Sequence, residues 1–320
     1  MRLFKDFNLG LSWYLANTFN QTFDPQISVS SGYSTIYLQT GYVRNTGIEL
    51  SLGYNHTWNN NFHWDSNFTL SHNKNEIKEL VRDYLHPETG EIINKDRLEI
   101  GKLGKAKFIL KEGGTLGDLY SQSDLKRDNN GMVEIDPSGA LVVENNLDDI
   151  KLGTVFPKAN LAWNNHFSWK GISLSALITA RIGGIVYSAT EAAMDQYGVS
   201  ERSALARDNG GVLLNGRTLV DAQTYYTAIG SESGLPQYYT YSATNVRLQE
   251  ASLGYTIPRK WLGNACDIQV SVVGRNLWMI YNKAPFDPEA VATTDNYYQG
   301  IDYFMLPSTR NIGVNVKITF

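Results

Sequence analysis

The stretch NIGVNVKITF, residues 311–320, alternates without a break. Ile312, Val314, Val316, Ile318 and Phe320 fall on one side, and Asn311, Gly313, Asn315, Lys317 and Thr319 on the other. Successive side chains of an extended chain point to opposite faces, so this is a β-strand with one apolar and one polar face. The same period recurs upstream. Leu9, Leu11, Trp13 and Leu15 oppose Gly10, Ser12 and Tyr14, and Ile48, Leu50, Leu52 and Tyr54 oppose Glu49, Ser51, Gly53 and Asn55. Phe62, Trp64, Phe68 and Leu70 oppose His63, Asp65, Asn67, Thr69 and Ser71. Leu161, Trp163, Phe167 and Trp169 oppose Asn160, Ala162, Asn164 and His166, and Ile172, Leu174, Ala176, Ile178 and Ile182 oppose Ser173, Ser175, Thr179 and Arg181. Two more strands are expected near 243–257 and 266–278. A slip of phase around Gln249 and Glu250 predicts a bulge in the first of these.

The connections alternate in length. Residues 59–61, 170–171 and 258–265 make short turns, whereas 20–40, 74–157, 184–242 and 279–307 are long and all lie at the opposite strand ends. Structureless loops above about 12 to 15 residues are uncommon in compact domains, so four on one side carry information. Outer-membrane barrels have this asymmetry, with short periplasmic turns and long extracellular loops. Trp58, Trp64, Trp169 and Trp261 lie at or beside the short turns, where a girdle of amphipathic rings would mark a membrane–water interface. On this reading the chain ends on the periplasmic side.

Composition excludes other classes. Among 320 residues, 28 Lys and Arg stand against 32 Asp and Glu, so no basic surplus points to nucleic acid. Cys266 is the one cysteine, which rules out an internal disulfide framework and a cysteine-based structural zinc site. No apolar run approaches the roughly 18 to 20 residues of a membrane helix. A soluble β-sandwich would also alternate. Here, however, the polar sides are rich in Asn, Ser, Gly and Thr rather than Lys and Glu, as a wet lumen would be, and residue 320 is aromatic. The start, MRLFKDFNLG, carries Lys5 and Asp6 where an export signal would have its apolar core.

Three stretches carry a family resemblance: NVRLQEASLGYTIPRKWL at 245–262, VSVVGRNLWMIYNKAPFDPE at 270–289, and the closing NIGVNVKITF. Together they resemble the carboxyl-terminal barrel strands of the SusC/RagA family of TonB-linked outer-membrane transporters of Bacteroidota. VRNTGIELSLGY at 43–54 is similar to that family's N-x-G-I-E-L strand, and FPKANLAWNNHFSWKGISLSALITARIGG at 156–184 to its Asn-Pro hairpin, with Phe156-Pro157 in place of Asn-Pro. SERSALARDNGGVLLNG at 200–216 resembles an extracellular-loop segment found in part of the family. The resemblance implies an all-β fold: an antiparallel transmembrane β-barrel segment with long extracellular loops, about eight strands of a barrel of about 22. Residues 1–320 are accordingly expected to be the carboxyl-terminal part of a TonB-dependent receptor barrel, with plug and signal peptide absent.

The implied role is active import of a large nutrient, a glycan or a peptide, at the cell outer membrane. The implied partners are a SusD-like surface lipoprotein, the TonB complex acting through the missing amino-terminal part, the barrel-assembly machinery and outer-membrane lipid, with no nucleic acid. The alternating Val314, Val316, Ile318 and Phe320 would be the assembly signal. The alternative from another class is a complete small barrel of about eight strands with a structural or adhesive role.

No enzymatic activity, cofactor or metal site is expected. His56, His63, His72, His86 and His166 lack ligand spacing, and GKLGKAKF at 101–108 lacks the ending of a phosphate loop and is read as loop. Asp128, Asn129, Asn130 and Gly131 open like a calcium loop, but Pro137 stands where its twelfth-position glutamate belongs, so a turn is expected. Tyr225, Tyr226, Tyr238, Tyr239, Tyr241, Tyr297, Tyr298 and Tyr303 crowd two long loops. Their rings could contact a ligand or the lipoprotein lid, or pack on one another.

Overall fold

The structure, a computed structural model, describes residues 2–3, 5–25, 32, 35–58, 61–85, 90, 92–263, 265–293 and 298–319. Phe320, Tyr297 and His86 lie outside the described residues, as do two residues of the 59–61 turn. Eight long strands follow one another in an antiparallel meander: β1 (Phe7–Phe23), β2 (Leu38–Thr57), β3 (Phe62–Glu79), β4 (Ala159–Trp169), β5 (Ile172–Ile182), β6 (Asn245–Ile257), β7 (Asp267–Asn282) and β8 (Asn311–Thr319). A two-residue strand, Arg2–Leu3, pairs with β1 and completes a nine-stranded sheet.

Register turns the alternation of each strand into a two-faced surface. One row crosses the sheet through Leu9, Leu52, Phe68, Trp163, Ile178, Leu248 and Trp278. A second runs through Trp64, Phe167, Leu174, Leu253, Val272 and Val314. The opposite face carries Ser12, Glu49, Ser71, Asn160, Arg181, Asn245 and Asn282 in one row. The apolar face is uncovered: Leu11, Trp13, Ile312 and Val314 are each about two-thirds exposed. Two polar residues that fall on it, Ser66 and Asn165, sit opposite each other and accept the indole N–H groups of Trp163 and Trp64 at 3.0 and 3.2 Å. Their polarity is consumed locally.

The expected bulge is present. Leu177 pairs with Glu250 and Ile178 with Leu248, so Gln249 is the extra residue, and β7 answers with Asn276 and Leu277 between Arg275 and Trp278. Without that insertion every residue of β6 above it would change face.

Gly47 is explained by a close approach. Its cross-strand partner is Tyr14, and a Cβ added there would lie 2.3 Å from the tyrosine ring. The ring thus covers the bare backbone, and Tyr14 Oη donates to Asn73 Oδ1 at 3.2 Å. Gly47→Ala is expected to cost about 1 to 3 kcal/mol by overpacking, a loss that Tyr14→Ala should partly relieve. Urea midpoints of the single and double variants test this; strictly additive losses would refute it.

The second, third and fourth long connections are folded in their described parts, which corrects the reading of them as plain loops. GKLGKAKF is a β-hairpin in which Leu103 pairs with Ala106 around Gly104, whose φ is +56°. It belongs to a four-stranded sheet of Arg97–Leu103, Ala106–Lys111, Asp118–Leu125 and Val143–Thr154. The expected turn at Asp128 exists: its Oδ1 accepts the N–H groups of Asn130 and Met132, and Asp136 repeats the device with Ser138 and Ala140. Three short helices, α1 (Ala189–Gln196), α2 (Glu201–Asp208) and α3 (Ala222–Gly230), each start at a capping side chain, Ser188, Ser200 and Asp221. Ile185–Ser188 pairs with Thr240–Ser242 on one side and Ile301–Asp302 on the other, tying the third and fourth connections together. Val43 and Ile77 at the tops of β2 and β3 pack with Phe108, Leu119, Tyr187, Tyr239 and Ile301, so one apolar core unites strand tops and connections into a cap.

Candidate functional site

Beneath the cap, the polar face of the sheet forms a groove of about 670 Å³ whose walls include Ser12, Glu49, Thr69, Asn160, Arg181 and Glu289. Its hydroxyl and amide side chains are joined by one cation, Arg181, and two carboxylates, Glu49 and Glu289, beside aliphatic residues such as Leu50 and Leu161. Arg181 donates through Nη2 to the carbonyl of Val155 at 2.7 Å, while its buried Nε has no hydrogen-bond partner in the protein. An unpaired buried N–H is costly, so it points to a solute or water acceptor in the groove. The arrangement can hold a polar solute through many weak contacts, and among the described residues it contains no cluster of metal ligands.

The roof of the groove is fixed by a buried ion pair. Arg247, with a side chain 6 % exposed, donates to Asp287 Oδ1 at 2.8 Å and through Nε to Asn245 Oδ1 at 3.2 Å, and forms an ion pair with Glu289 Oε2 at 3.3 Å. Asp287 also accepts from Ser308 Oγ and from the Glu289 N–H. Burial alone would push the Asp287 carboxyl up, but the guanidinium and the hydroxyl hold it below the usual carboxylate range. These contacts pin Asp287, Glu289 and Ser308 over the upper end of β6. The sequence reading missed them. The segment PFDPE was visible as a motif, but nothing local ties it to an arginine 40 positions away.

A second charged knot holds the four-stranded sheet of the cap. Asp149, 7 % exposed at its side chain, takes both Nε and Nη2 of Arg97 at 2.7 and 3.0 Å, Lys111 at 2.9 Å and Gln122 at 2.7 Å. The Arg97 fork foremost, then Lys111 and Gln122, depress its carboxyl far below the ordinary range against the opposing effect of burial. A depressed carboxyl stabilises the fold above its unfolded value near 4 and loses that contribution as pH falls below it. The cap of Asp149→Asn is therefore expected to open more readily at pH 7 and to respond less to acid between about pH 5 and 2 than wild type. Protease cutting within 97–151 as a function of pH tests this; parallel curves for both proteins would refute it.

The tyrosines divide into two groups. Tyr239 is fully buried and donates to Asp195 Oδ2 at 2.9 Å, beneath the Arg202 guanidinium 5.0 Å from its ring, and Tyr226 donates to the Arg202 carbonyl at 3.2 Å. Tyr225 meets Tyr226 edge-on, Tyr238 lies beside Arg127, and Tyr241 packs on Phe286. Tyr239 is buried in the cap core, as the alternative of mutual packing has it, and Tyr226 is nearly so while lining a small pocket with Asp195 and Arg207. Burial raises the Tyr225 hydroxyl to about 12 and Tyr239 further still, so neither ionises near neutral pH. Tyr298, edge-on to Phe108, and Tyr303, against Phe304, remain exposed. Val314, Val316 and Ile318 all lie on the uncovered apolar face of β8, and Phe320 and Tyr297 are outside the described residues.

A rim of aromatic rings crosses the short-turn end of the apolar face: Phe7 on Tyr54, Tyr54 on Trp64, Trp64 on Phe167, Phe167 on Phe62 and Phe62 on Trp58, with centroids 4.8 to 6.3 Å apart. Lys170 lies 4.7 Å over the Trp169 ring. An open antiparallel meander with an uncovered apolar face, a polar face, an aromatic rim at short turns and a folded cap at the other end is the wall of a membrane-type β-barrel.

Comparison with known proteins agrees. The chain is 24% identical to TonB-dependent receptor P3 of Formosa agariphila over 97% of its own length and 32% of that protein, and 22% identical to TonB-dependent receptor P26 of the same organism with the same coverage. It superposes on structures of the RagAB peptide transporter and of the RagAB peptide importer in a closed-closed state with TM-scores of 0.70 and 0.69, at 17% identity, over 98% of this chain and 34% of theirs. No protein-family model matches the chain. The chain is thus similar in sequence to TonB-dependent receptors and in fold to the RagAB structures, and it spans about a third of the length of the relatives it matches.

Proposed function

We propose that this chain forms part of the wall and the extracellular cap of an outer-membrane importer that takes up a glycan or peptide with energy from TonB and captures it under a SusD-like lipoprotein. The observation that carries the reading is the opposition of an apolar, uncovered sheet face to a polar groove roofed by a folded cap. The groove lines the route, and Tyr298 and Tyr303 are the tyrosines free to meet a solute or the lipoprotein. Val314, Val316, Ile318 and Phe320 present the pattern offered to the barrel-assembly machinery. The likeness to TonB-dependent receptors and to the RagAB peptide importer supports import, with this chain supplying shape and contacts.

Both outer strands of the sheet lack a long partner on their far side among the described residues. An open edge in lipid leaves backbone groups unpaired at several kcal/mol each, which favours the larger barrel over a closed small one. Orientation is tested with cysteines in the full-length receptor on intact cells. A membrane-impermeant maleimide should label Ser138→Cys, in the cap, in a Cys266→Ser background, and should reach native Cys266, beside the β6–β7 turn, only after the outer membrane is permeabilised. The opposite pattern overturns the reading.

A further inference from the structure

The outward face changes character at one level, and the change is abrupt. At the outward positions of β3 from Phe62 to His72, and at the outward positions of every described strand beside it, no Asp, Glu, Lys or Arg occurs. Ten residues at about 3.4 Å each span about 34 Å along the strand, or about 26 Å along the membrane normal at a tilt near 40°. That is the height of one apolar band. The next outward positions are Lys74 and Glu76 on β3 and Arg44 on β2, with Lys78 at the register slip above them. Their outward direction is settled by Val43 and Ile77, neighbours of Arg44 and Glu76, which are fully buried on the other face in the cap core.

The group is pre-arranged. Lys74 and Lys78 converge on the two oxygens of Glu76 at 2.9 and 2.5 Å, leaving the lysine side chains 66 % and 31 % exposed. Arg44 is braced by Asn17 Oδ1 at 3.1 Å and by the Tyr42 hydroxyl, and Phe19 stacks on Tyr42 at 4.7 Å. Arg44, Lys74 and Lys78 stand against Glu76, and Glu79, opposite Tyr42, is paired with Arg82 at 3.9 Å, so a net positive cluster lies over an aromatic pair, one step above the apolar band. A cationic cluster at that height meets the phosphate level of the outer leaflet, and the Lys74 side chain stands 66 % exposed there.

We infer that Arg44, Lys74 and Lys78 form a seat for the phosphorylated head group of an outer-leaflet glycolipid, with Phe19 and Tyr42 resting on its acyl–sugar boundary. The inference depends on the membrane reading above. The test uses the full-length receptor in detergent, titrated with phosphorylated lipid A, dephosphorylated lipid A or inorganic phosphate and read by native mass spectrometry. Phosphorylated lipid A should be retained and dephosphorylated lipid A should not. Lys74→Gln with Lys78→Gln should weaken retention about tenfold or more, two cations at an anionic surface each being worth about fivefold. Glu76→Gln removes the competing carboxylate and should strengthen retention, a gain that misfolding cannot produce. Equal retention of the two lipids, no effect of the lysine variants, or displacement of the lipid by millimolar inorganic phosphate would overturn the seat. Recovery of the receptor in the outer-membrane fraction is scored separately; its failure would strike the barrel reading, whereas a correctly inserted receptor indifferent to these substitutions would strike this inference alone.

Discussion

Arg247→Met is expected to destabilise the full-length protein by about 3 to 5 kcal/mol and to free residues 283–310 for proteolysis. The substitution keeps the volume and removes the charge, leaving Asp287, 8 % exposed, buried without its counter-ion. What is lost is chiefly the compensation of that carboxylate, since a buried pair as a whole contributes little against an apolar pair of the same shape. Two consequences separate this account from simple loss of packing. The carboxyl of Asp287, relieved of the guanidinium, should rise towards its burial-dominated value, so the variant should recover stability as pH falls from 7 to 5. The double variant Arg247→Met with Asp287→Leu should recover most of the loss, giving a coupling of about 2 kcal/mol or more in a double-mutant cycle. Additive losses in urea denaturation would remove the ion pair from its assigned role. Uptake of solute should fall with the single variant, because the roof of the groove is the segment set loose.

The strands were legible in the sequence because each carries its own signal. Alternation in residues 9–15, 48–54 or 312–318 needs no partner to be read, and the slip at Gln249 survived as a visible break of phase. The polarity of the turns was legible for the same reason. The cap was not, because its contacts join distant positions: Gln237 to the Ser123 carbonyl and Ser188 to Asp302 are each 114 residues apart, and Asn215 bonds Val133 across 82. Helices of eight or nine residues leave too few turns for a period to stand out, and tertiary packing, not local preference, holds them. The site divides along the same line. Tyrosine crowding was visible, but which rings turn inward depends on Asp195 and Arg202, and the ion pair over the groove had no local mark at all.

Arginine moved along the outward positions of β2 should trace the membrane. Leu52 lies mid-band, six residues above Trp58 of the aromatic rim and eight below Arg44 in the sense of the strand, and its row contains Leu9, Phe68 and Trp163. Leu52→Arg is expected to cost about 2 to 4 kcal/mol, the penalty for a cation at the bilayer midplane, and to lower the amount of receptor in the outer membrane. Tyr54→Arg, within the rim, and Thr46→Arg, beside the basic cluster, should cost less, about 1 kcal/mol, because a cation there reaches water or head groups. Ser51→Arg, one residue from Leu52 but on the polar face, should be tolerated in a wet lumen. The shape of the series identifies the solvent of this face. A soluble sheet with its apolar face against another protein would punish Leu52→Arg as well, but it would not relent symmetrically towards both ends of the strand. A penalty flat along β2, or one as large at Ser51 as at Leu52, would remove lipid as the solvent of this face.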